Sequence, residues 1–384
     1  MIYLDNCATT KPRKEVVDAM ADALANEYGN PSSLHRLGLK TEKRIKEARE
    51  IIANYLRIES KELYFTSGGT ESNNIAIQSI AKKFSRKGKH IITTKFEHPS
   101  ILNVFKYLED EGFNVSFLDV DQNGYIDLDT LAKTIKEDTI LVSIIHVNNE
   151  IGSLQDIKGI KEVINNSISK PILHVDGIQS FGKVEFSLKA LDVDTYSFSG
   201  HKVYGPKGIG GLYINKRLKL NPIVFGGNQE SGLRSGTENV PGIIGLGEAV
   251  KILTKNAKME AQSAFELKRY MASRIINEID DVKINTSVDN TSSPYILSIT
   301  FRGTRGEVLL HYLEEKDIYV STSSACSSKG TTKSHVLKAI NLCDKDIEGT
   351  IRFCLSYEIS KEDIDYTIEQ LKYAVNDIRS IMRR

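Results

Sequence analysis

From residue 63 to residue 214 short apolar runs and longer amphipathic stretches take turns almost without a break, and few folds accommodate that rhythm. The apolar runs cover 63–66, 90–94, 115–120, 139–147 and 172–176, then recur around Ser197 and Leu212. Helical stretches separate them at 71–84, 99–111, 128–136 and 157–166. A run such as Ile140-Leu141-Val142-Ser143-Ile144-Ile145 is nearly continuous in apolar residues, so both faces of its sheet must be covered. Strands of this kind, joined by helices of ten or so residues, dictate a mainly parallel sheet in an α/β architecture.

The flanks follow other rules. An extended piece runs to Ala8, a helix over 13–28 is broken by Gly29-Asn30-Pro31, and Ile45, Ala48, Ile52 and Leu56 mark an amphipathic helix over 40–57. After Pro241 the pattern changes to long helical material over 243–278, strands at 296–301 and 318–321, and a helix at 306–316 between them. The last helix has Ser360 as N-cap and a stripe of Ile364, Ile368, Leu371, Val375, Ile378 and Met382 at steps of four and three. At 384 residues the chain is long for one core. The expectation is a large domain over 14–250 with a mainly parallel seven-stranded sheet, and a smaller α+β domain from 1–13 and 251–384.

Several functions are disfavoured. A net charge of +1 gives no case for a nucleic-acid or membrane surface, and the basic tip at 379–384 reads as a solvated helix end. No apolar run approaches the roughly 20 residues that span a bilayer. Met1-Ile2-Tyr3-Leu4-Asp5 enters structure at once, without the regions of a secretory leader. Four cysteines, at 7, 326, 343 and 354, form neither a disulfide framework nor a zinc spacing, so a reducing cytoplasm is the expected setting and no metal is expected. Gly205, Gly208 and Gly210 do not spell a dinucleotide fingerprint, and no nucleotide-triphosphate loop occurs.

Chemistry concentrates where strands end. Phe198-Ser199-Gly200-His201-Lys202 presents hydroxyl, imidazole and amine before a glycine-dense turn. His174-Val175-Asp176-Gly177-Ile178-Gln179 ends another run with an acid, and Ser67-Gly68-Gly69-Thr70 opens a helix after Phe65. Each alone reads equally as a solvated lysine, a capping acid and an ordinary turn. Together they suit a phosphorylated aldehyde cofactor: the lysine forms a Schiff base, the acid holds a pyridinium, and the phosphate sits on a helix N-terminus. Gln179, or Asn148 in His146-Val147-Asn148-Asn149-Glu150, can donate to the ring's phenolic oxygen. Cys326 lies in Ser321-Thr322-Ser323-Ser324-Ala325-Cys326-Ser327-Ser328, a small polar setting that suits a reactive thiol better than a core one.

These segments resemble pyridoxal-phosphate enzymes of fold type I, class V, and SFSGHKVYGPKGIG resembles the cysteine desulfurases of the NifS/IscS type. The resemblance runs through the chain in family order: YLDNCATT, SGGTESNN, FEHPS, HVNNEIG, VDGIQS, SFSGHK, RSGT, SSACSS and IRF. It implies pyridoxal 5'-phosphate bound through Lys202, Gly69, Thr70, His98, Asn148, Asp176, Gln179, Ser199 and His201, with Thr237 of RSGT reaching the phosphate of the neighbouring subunit in a homodimer. It further implies that L-cysteine is converted to L-alanine, that Arg352 and Asn148 hold the substrate, that Lys202 and His98 move protons, and that Cys326 takes the sulfur as a persulfide. The loop length points to the long-loop group I, and a sulfur-acceptor protein follows, either an iron–sulfur scaffold or a tRNA-thiolating enzyme. Asn6-Cys7 departs from the aromatic or small residues of many relatives. A selenocysteine lyase would keep Lys202 and Asp176 without depending on Cys326, and the presence of Lys202, Asp176 and Arg352 together argues against a non-catalytic sulfur-carrying scaffold.

Overall fold

The computed structural model describes residues 1–322 and 333–382. Among them, seven strands make one sheet in the spatial order Leu63–Thr66, Gly210–Ile214, Thr195–Ser199, Ile172–Asp176, Thr139–Ile145, His90–Thr94 and Asn114–Leu118. Neighbours pair in parallel except at Gly210–Ile214, which runs against both strands beside it. The glycine-dense turn after Lys202 is what reverses the chain. Tyr204 and Gly208 both have positive φ there, at 60° and 75°.

Strand alternation puts successive side chains on opposite faces. Val142, Ile144, Leu173 and Val175 join Ile45, Ile52, Leu246 and Val250 in one core cluster. Ile91 and Leu141 join Ile77, Ile80, Ile101 and Phe105 in a cluster on the other face. Both faces are therefore covered by helices, as the apolar runs require.

The helix Arg36–Leu56 begins four residues before the expected start at 40, because His35 Nδ1 accepts from Gly38 N–H at 3.2 Å and caps it. The helix Val240–Glu278 likewise starts before Pro241, since proline is tolerated in a first turn and Asn239 Oδ1 accepts from Gly242 N–H at 3.1 Å. That helix is 39 residues long and serves two cores. Val240, Leu246, Val250 and Leu253 belong to the sheet cluster, whereas Ala264, Met271 and Ile275 pack with Ile296, Ile299 and Phe353.

The second core rests on an antiparallel sheet in the order Ser321–Thr322, Thr350–Cys354, Ile296–Phe301 and Val282–Ile284. The run at 318–321 is not one strand. Ile318–Tyr319 pairs in parallel with Ile2–Tyr3, and Ser321–Thr322 pairs with Thr350–Cys354. The helix Lys361–Met382 opens on the expected cap: Ser360 N–H donates to Asp363 Oδ2 at 2.9 Å and Asp363 N–H to Ser360 Oγ at 3.1 Å. Among the described residues no helix is long and apolar enough to cross a membrane.

Candidate active site

The strands Leu63–Thr66, Ile172–Asp176 and Thr195–Ser199 run in one direction, so their carboxyl ends share an edge of the sheet. The helix Gly69–Phe84 starts at that edge behind Gly68. A methyl group added at Gly68 would lie 3.7 Å from Ser199 Oγ, and one at Gly69 would collide with the Ile178 side chain at 2.1 Å. The buried Ser199 and the Asp176–Gln179 turn thus close around the helix N-terminus. The first-turn N–H groups of any helix lack acceptors within it. Thr70 is exposed at that terminus, beside a cavity of about 390 Å³ that His98 and Ser100 also line.

Lys202 lies just beyond Ser199, and the amino-terminal segment is laid across it. Its Nζ donates to the carbonyl oxygens of Cys7 at 2.6 Å and Ala8 at 2.8 Å. Thr10 holds that segment down, its N–H and Oγ1 donating to the His201 carbonyl at 2.8 and 2.9 Å. His201 Nδ1 lies 3.2 Å from Thr9 Oγ1. Burial pushes the His201 imidazole down to about 4, helped by the Lys202, Lys207 and Lys183 charges.

Asp176 is 1% exposed at its strand end. Asn73 Nδ2 donates to Oδ2 and Ile178 N–H to Oδ1, both at 3.0 Å. Burial raises its carboxyl to about 6, against the pull of those two hydrogen bonds and of the Lys202 ammonium. His98 caps the helix Pro99–Asp110, accepting at Nδ1 from Ser100 N–H at 3.1 Å. Burial, then the charges of Lys202 and His335, bring it down to about 4, so it is neutral at pH 7. The lysine charge therefore acts on both the acid and the imidazole.

Two amides are turned to protein partners. Gln179 Nε2 donates to the Cys7 carbonyl at 2.9 Å while Lys183 Nζ donates to its Oε1 at 2.9 Å. Asn148 Nδ2 donates to the Phe96 carbonyl at 3.0 Å, and Glu150 and Ile151 N–H groups donate to its Oδ1 at 2.8 and 3.0 Å. Each amide nitrogen has a second hydrogen for a ligand.

Arg352, in the strand Thr350–Cys354, is 4% exposed. It donates to the Asn149 carbonyl at 2.9 Å and to Asp5 Oδ1 at 2.8 Å, while its Nε is buried with no hydrogen-bond partner. A buried guanidinium with a donor to spare is a site for an anion such as a carboxylate. Cys326 lies outside the described residues. On one side of it Ser321 pairs with Arg352; on the other Ser334 Oγ donates to Glu150 Oε2 at 2.6 Å and His335 Nε2 meets the Glu97 carbonyl at 2.8 Å. Thr237 is exposed, three residues after Arg234, whose Nε donates to Glu71 at 3.0 Å.

The structure adds residues that sequence reasoning passed over. Asn73 steadies Asp176 and also meets His174 Nε2 at 3.1 Å. Glu97 has one buried carboxylate oxygen without a partner, and burial raises its carboxyl well above the usual range. Asp5 neutralises Arg352. All three lie in segments that carry the resemblance, Asp5 in YLDNCATT, Asn73 in SGGTESNN and Glu97 in FEHPS, but the pattern did not show which of their residues act.

The donor set suits pyridoxal phosphate: a helix N-terminus flanked by Thr70, Ser199 and His201 for the phosphate, a buried acid for the ring nitrogen, and Lys202 between them for the aldehyde. The buried acid held by two neutral donors is the observation that tests this fit, since a cationic ring nitrogen supplies a countercharge there.

Residues 2–367 match the family model described as Aminotransferase class-V. The chain is 43% identical to the cysteine desulfurase IscS of Dictyoglomus turgidum over 99% of its length and 96% of that protein. It is also 43% identical to the cysteine desulfurase IscS of Buchnera aphidicola over 99% of its length and 94% of that one. Among solved structures it resembles a NifS-like protein with a TM-score of 0.92 and 36% identity, covering 98% of this chain and 99% of that one. It also resembles SspA in complex with cysteine, with a TM-score of 0.81 and 35% identity, covering 92% and 99%.

Proposed function

The chain belongs to the class-V aminotransferase family, and from that premise we propose that it acts as a pyridoxal-phosphate-dependent cysteine desulfurase, converting L-cysteine to L-alanine. The observation that supports this reading is the buried Asp176 carboxylate, held by Asn73 and Ile178 N–H at a strand end, with Lys202 just beyond the end of the neighbouring strand.

Pyridoxal phosphate bound at Lys202 supplies an electron sink for the pair left when the substrate Cα–H bond breaks. The protein's own groups do the rest. Arg352 takes the substrate carboxylate, its unpartnered Nε completing a fork that Asp5 orients from behind. The Lys202 amine removes the Cα proton. Asn73 and Ile178 N–H hold the Asp176 carboxylate in place, where it would face the cofactor's ring nitrogen and favour its protonated form. His98 is neutral, with Nδ1 engaged by Ser100, so its Nε2 is left to accept or donate a proton. The Cys326 thiolate attacks the substrate sulfur; the carbon–sulfur bond breaks with its electron pair left on the substrate carbon, that carbon takes up a proton, the enzyme keeps a persulfide, and alanine leaves.

Sulfur then passes to an acceptor protein, an iron–sulfur scaffold or a tRNA-thiolating enzyme, in the cytoplasm. Two copies of the chain form the working unit, with Thr237 of each reaching the other's phosphate. The anchoring of the segments before and after Cys326 at Arg352, Glu150 and Glu97 supports its role, because both approaches to it start at the substrate site. Turnover of L-cysteine with a reductant tests the reading. Cys326→Ala should keep its bound cofactor absorbance and lose alanine production. Undiminished turnover would remove the thiol from the mechanism and leave a lyase that releases sulfur without it.

A further inference from the structure

Two cysteines that the desulfurase chemistry does not use lie against each other beside the site. Residues 4–6 run along the end of the strand Thr350–Cys354. Cys354 N–H donates to the Leu4 carbonyl at 2.6 Å, Asp5 pairs with Cys354 in parallel, and Asn6 Nδ2 donates to the Cys354 carbonyl at 3.0 Å. The next residue is Cys7, and its carbonyl is fixed in turn by Lys202 at 2.6 Å and Gln179 at 2.9 Å. The two side chains, 2% and 0% exposed, sit in the same core cluster as free thiols. Their side chains hydrogen-bond to each other.

Their surroundings divide the two roles. Burial works against ionising either one. Around Cys7 the Cys354 hydrogen bond and the charges of Lys183, Arg352 and Lys202 overcome it, and the thiol falls below its usual range. Cys354 is pushed up by the same burial and by its negative neighbours Cys7 and Asp5. A thiolate touching a thiol is the arrangement in which oxidation of the first is resolved by the second. Tyr3 also faces the pair electrostatically, and it stays protonated because burial and Asp5 raise it to about 12.

We propose that Cys7 and Cys354 are an oxidisable dithiol, converted by a small hydroperoxide into a disulfide that ties the segment under Lys202 to the strand of Arg352. The Cys7 thiolate attacks the peroxide oxygen, the O–O bond breaks, and Cys7 becomes a sulfenic acid as hydroxide leaves and takes up a proton. The Cys354 sulfur then displaces the hydroxyl from Cys7, forming the S–S bond and a second water. Two thiols and one hydrogen peroxide give one disulfide and two waters, with sulfur oxidised and peroxide oxygen reduced.

The chain has four cysteines, so Cys326→Ser with Cys343→Ser leaves only this pair. The test is to treat that cofactor-loaded variant with hydrogen peroxide and count thiols in denaturant. The expected result is two reactive thiols before treatment and none after, a monomeric mass lower by two hydrogens, and full recovery with dithiothreitol. In the wild-type holoenzyme, peptide mapping without reductant should yield a Cys7–Cys354 linked peptide. Two thiols persisting after treatment, a Cys7 sulfinic acid beside a free Cys354, or a crosslink found only between chains would each overturn the proposal. The reading as a desulfurase is judged separately, by alanine production.

Discussion

Asp176 is ionised at neutral pH in a place where water scarcely reaches it, and that has a cost the apo-protein bears. Its carboxyl is raised by burial to about 6, against about 3.9 in an unfolded chain. Between those values the folded state holds a proton that the unfolded state has released. The residue therefore lowers stability as pH rises from about 4 to about 6, and the full penalty, on the order of 3 kcal/mol, persists above that. Asp176→Asn should then raise the melting temperature of the cofactor-free protein at pH 7.5, have little effect near pH 4, and weaken pyridoxal phosphate binding. Thermal melts of both proteins across that range decide it, and a less stable variant at pH 7.5 would refute the account. Lys202, Asp176 and Thr70 were legible in the sequence because each ends a strand or opens a helix in a recognisable residue pattern. Asn73 and Asp5 were not singled out, although SGGTESNN and YLDNCATT contain them, since they meet their partners across 103 and 347 residues and a local pattern does not show that pairing.

The phosphate end of the site depends on how closely one strand passes a helix start. A methyl group added at Gly210 would stand 2.7 Å from Gly68 Cα and 2.6 Å from the Phe198 carbonyl oxygen, and backbone atoms cannot swing aside. Gly210→Ala should push the Gly68–Thr70 turn away from Ser199, costing about 1–3 kcal/mol of stability and weakening pyridoxal phosphate binding roughly tenfold or more. Fluorescence titration with the cofactor measures the second effect, and an unchanged affinity would show that this crossing does not position the phosphate site. At this scale the long apolar strands and amphipathic helices could be read because burial imposes a period on many residues at once. Val282–Ile284, Thr350–Cys354, His335–Ala339 and Asp344–Glu348 span only three to five residues each and carry no usable period. The split of 318–321 into two strands is equally invisible in sequence, because pairing partners rather than local pattern decide it.

At the scale of the molecule, the proposed division into 14–250 and the pair 1–13 with 251–384 finds support in one helix. The buried residues of Val240–Glu278 belong to the sheet core up to Leu253 and to the second core from Ala264 onward. The proposed dimer makes a sharper demand. Arg234 is tied to Glu71 in the first turn of the phosphate helix of its own chain, whereas Thr237, three residues on, is exposed. If Thr237 reaches across to the partner's phosphate, each site takes Lys202 from one chain and Thr237 from the other. A mixed dimer of Lys202→Ala and Thr237→Ala chains, isolated by co-expression with two tags, then holds one site with both defects and one with none. At limiting cofactor it should recover about half the wild-type alanine production while each parent homodimer stays low. If Thr237 serves its own chain, the mixed dimer carries one defect in each site and gains nothing over its parents. A chain from which no mixed dimer can be isolated, and which sediments as a monomer with full activity, would remove the shared site altogether.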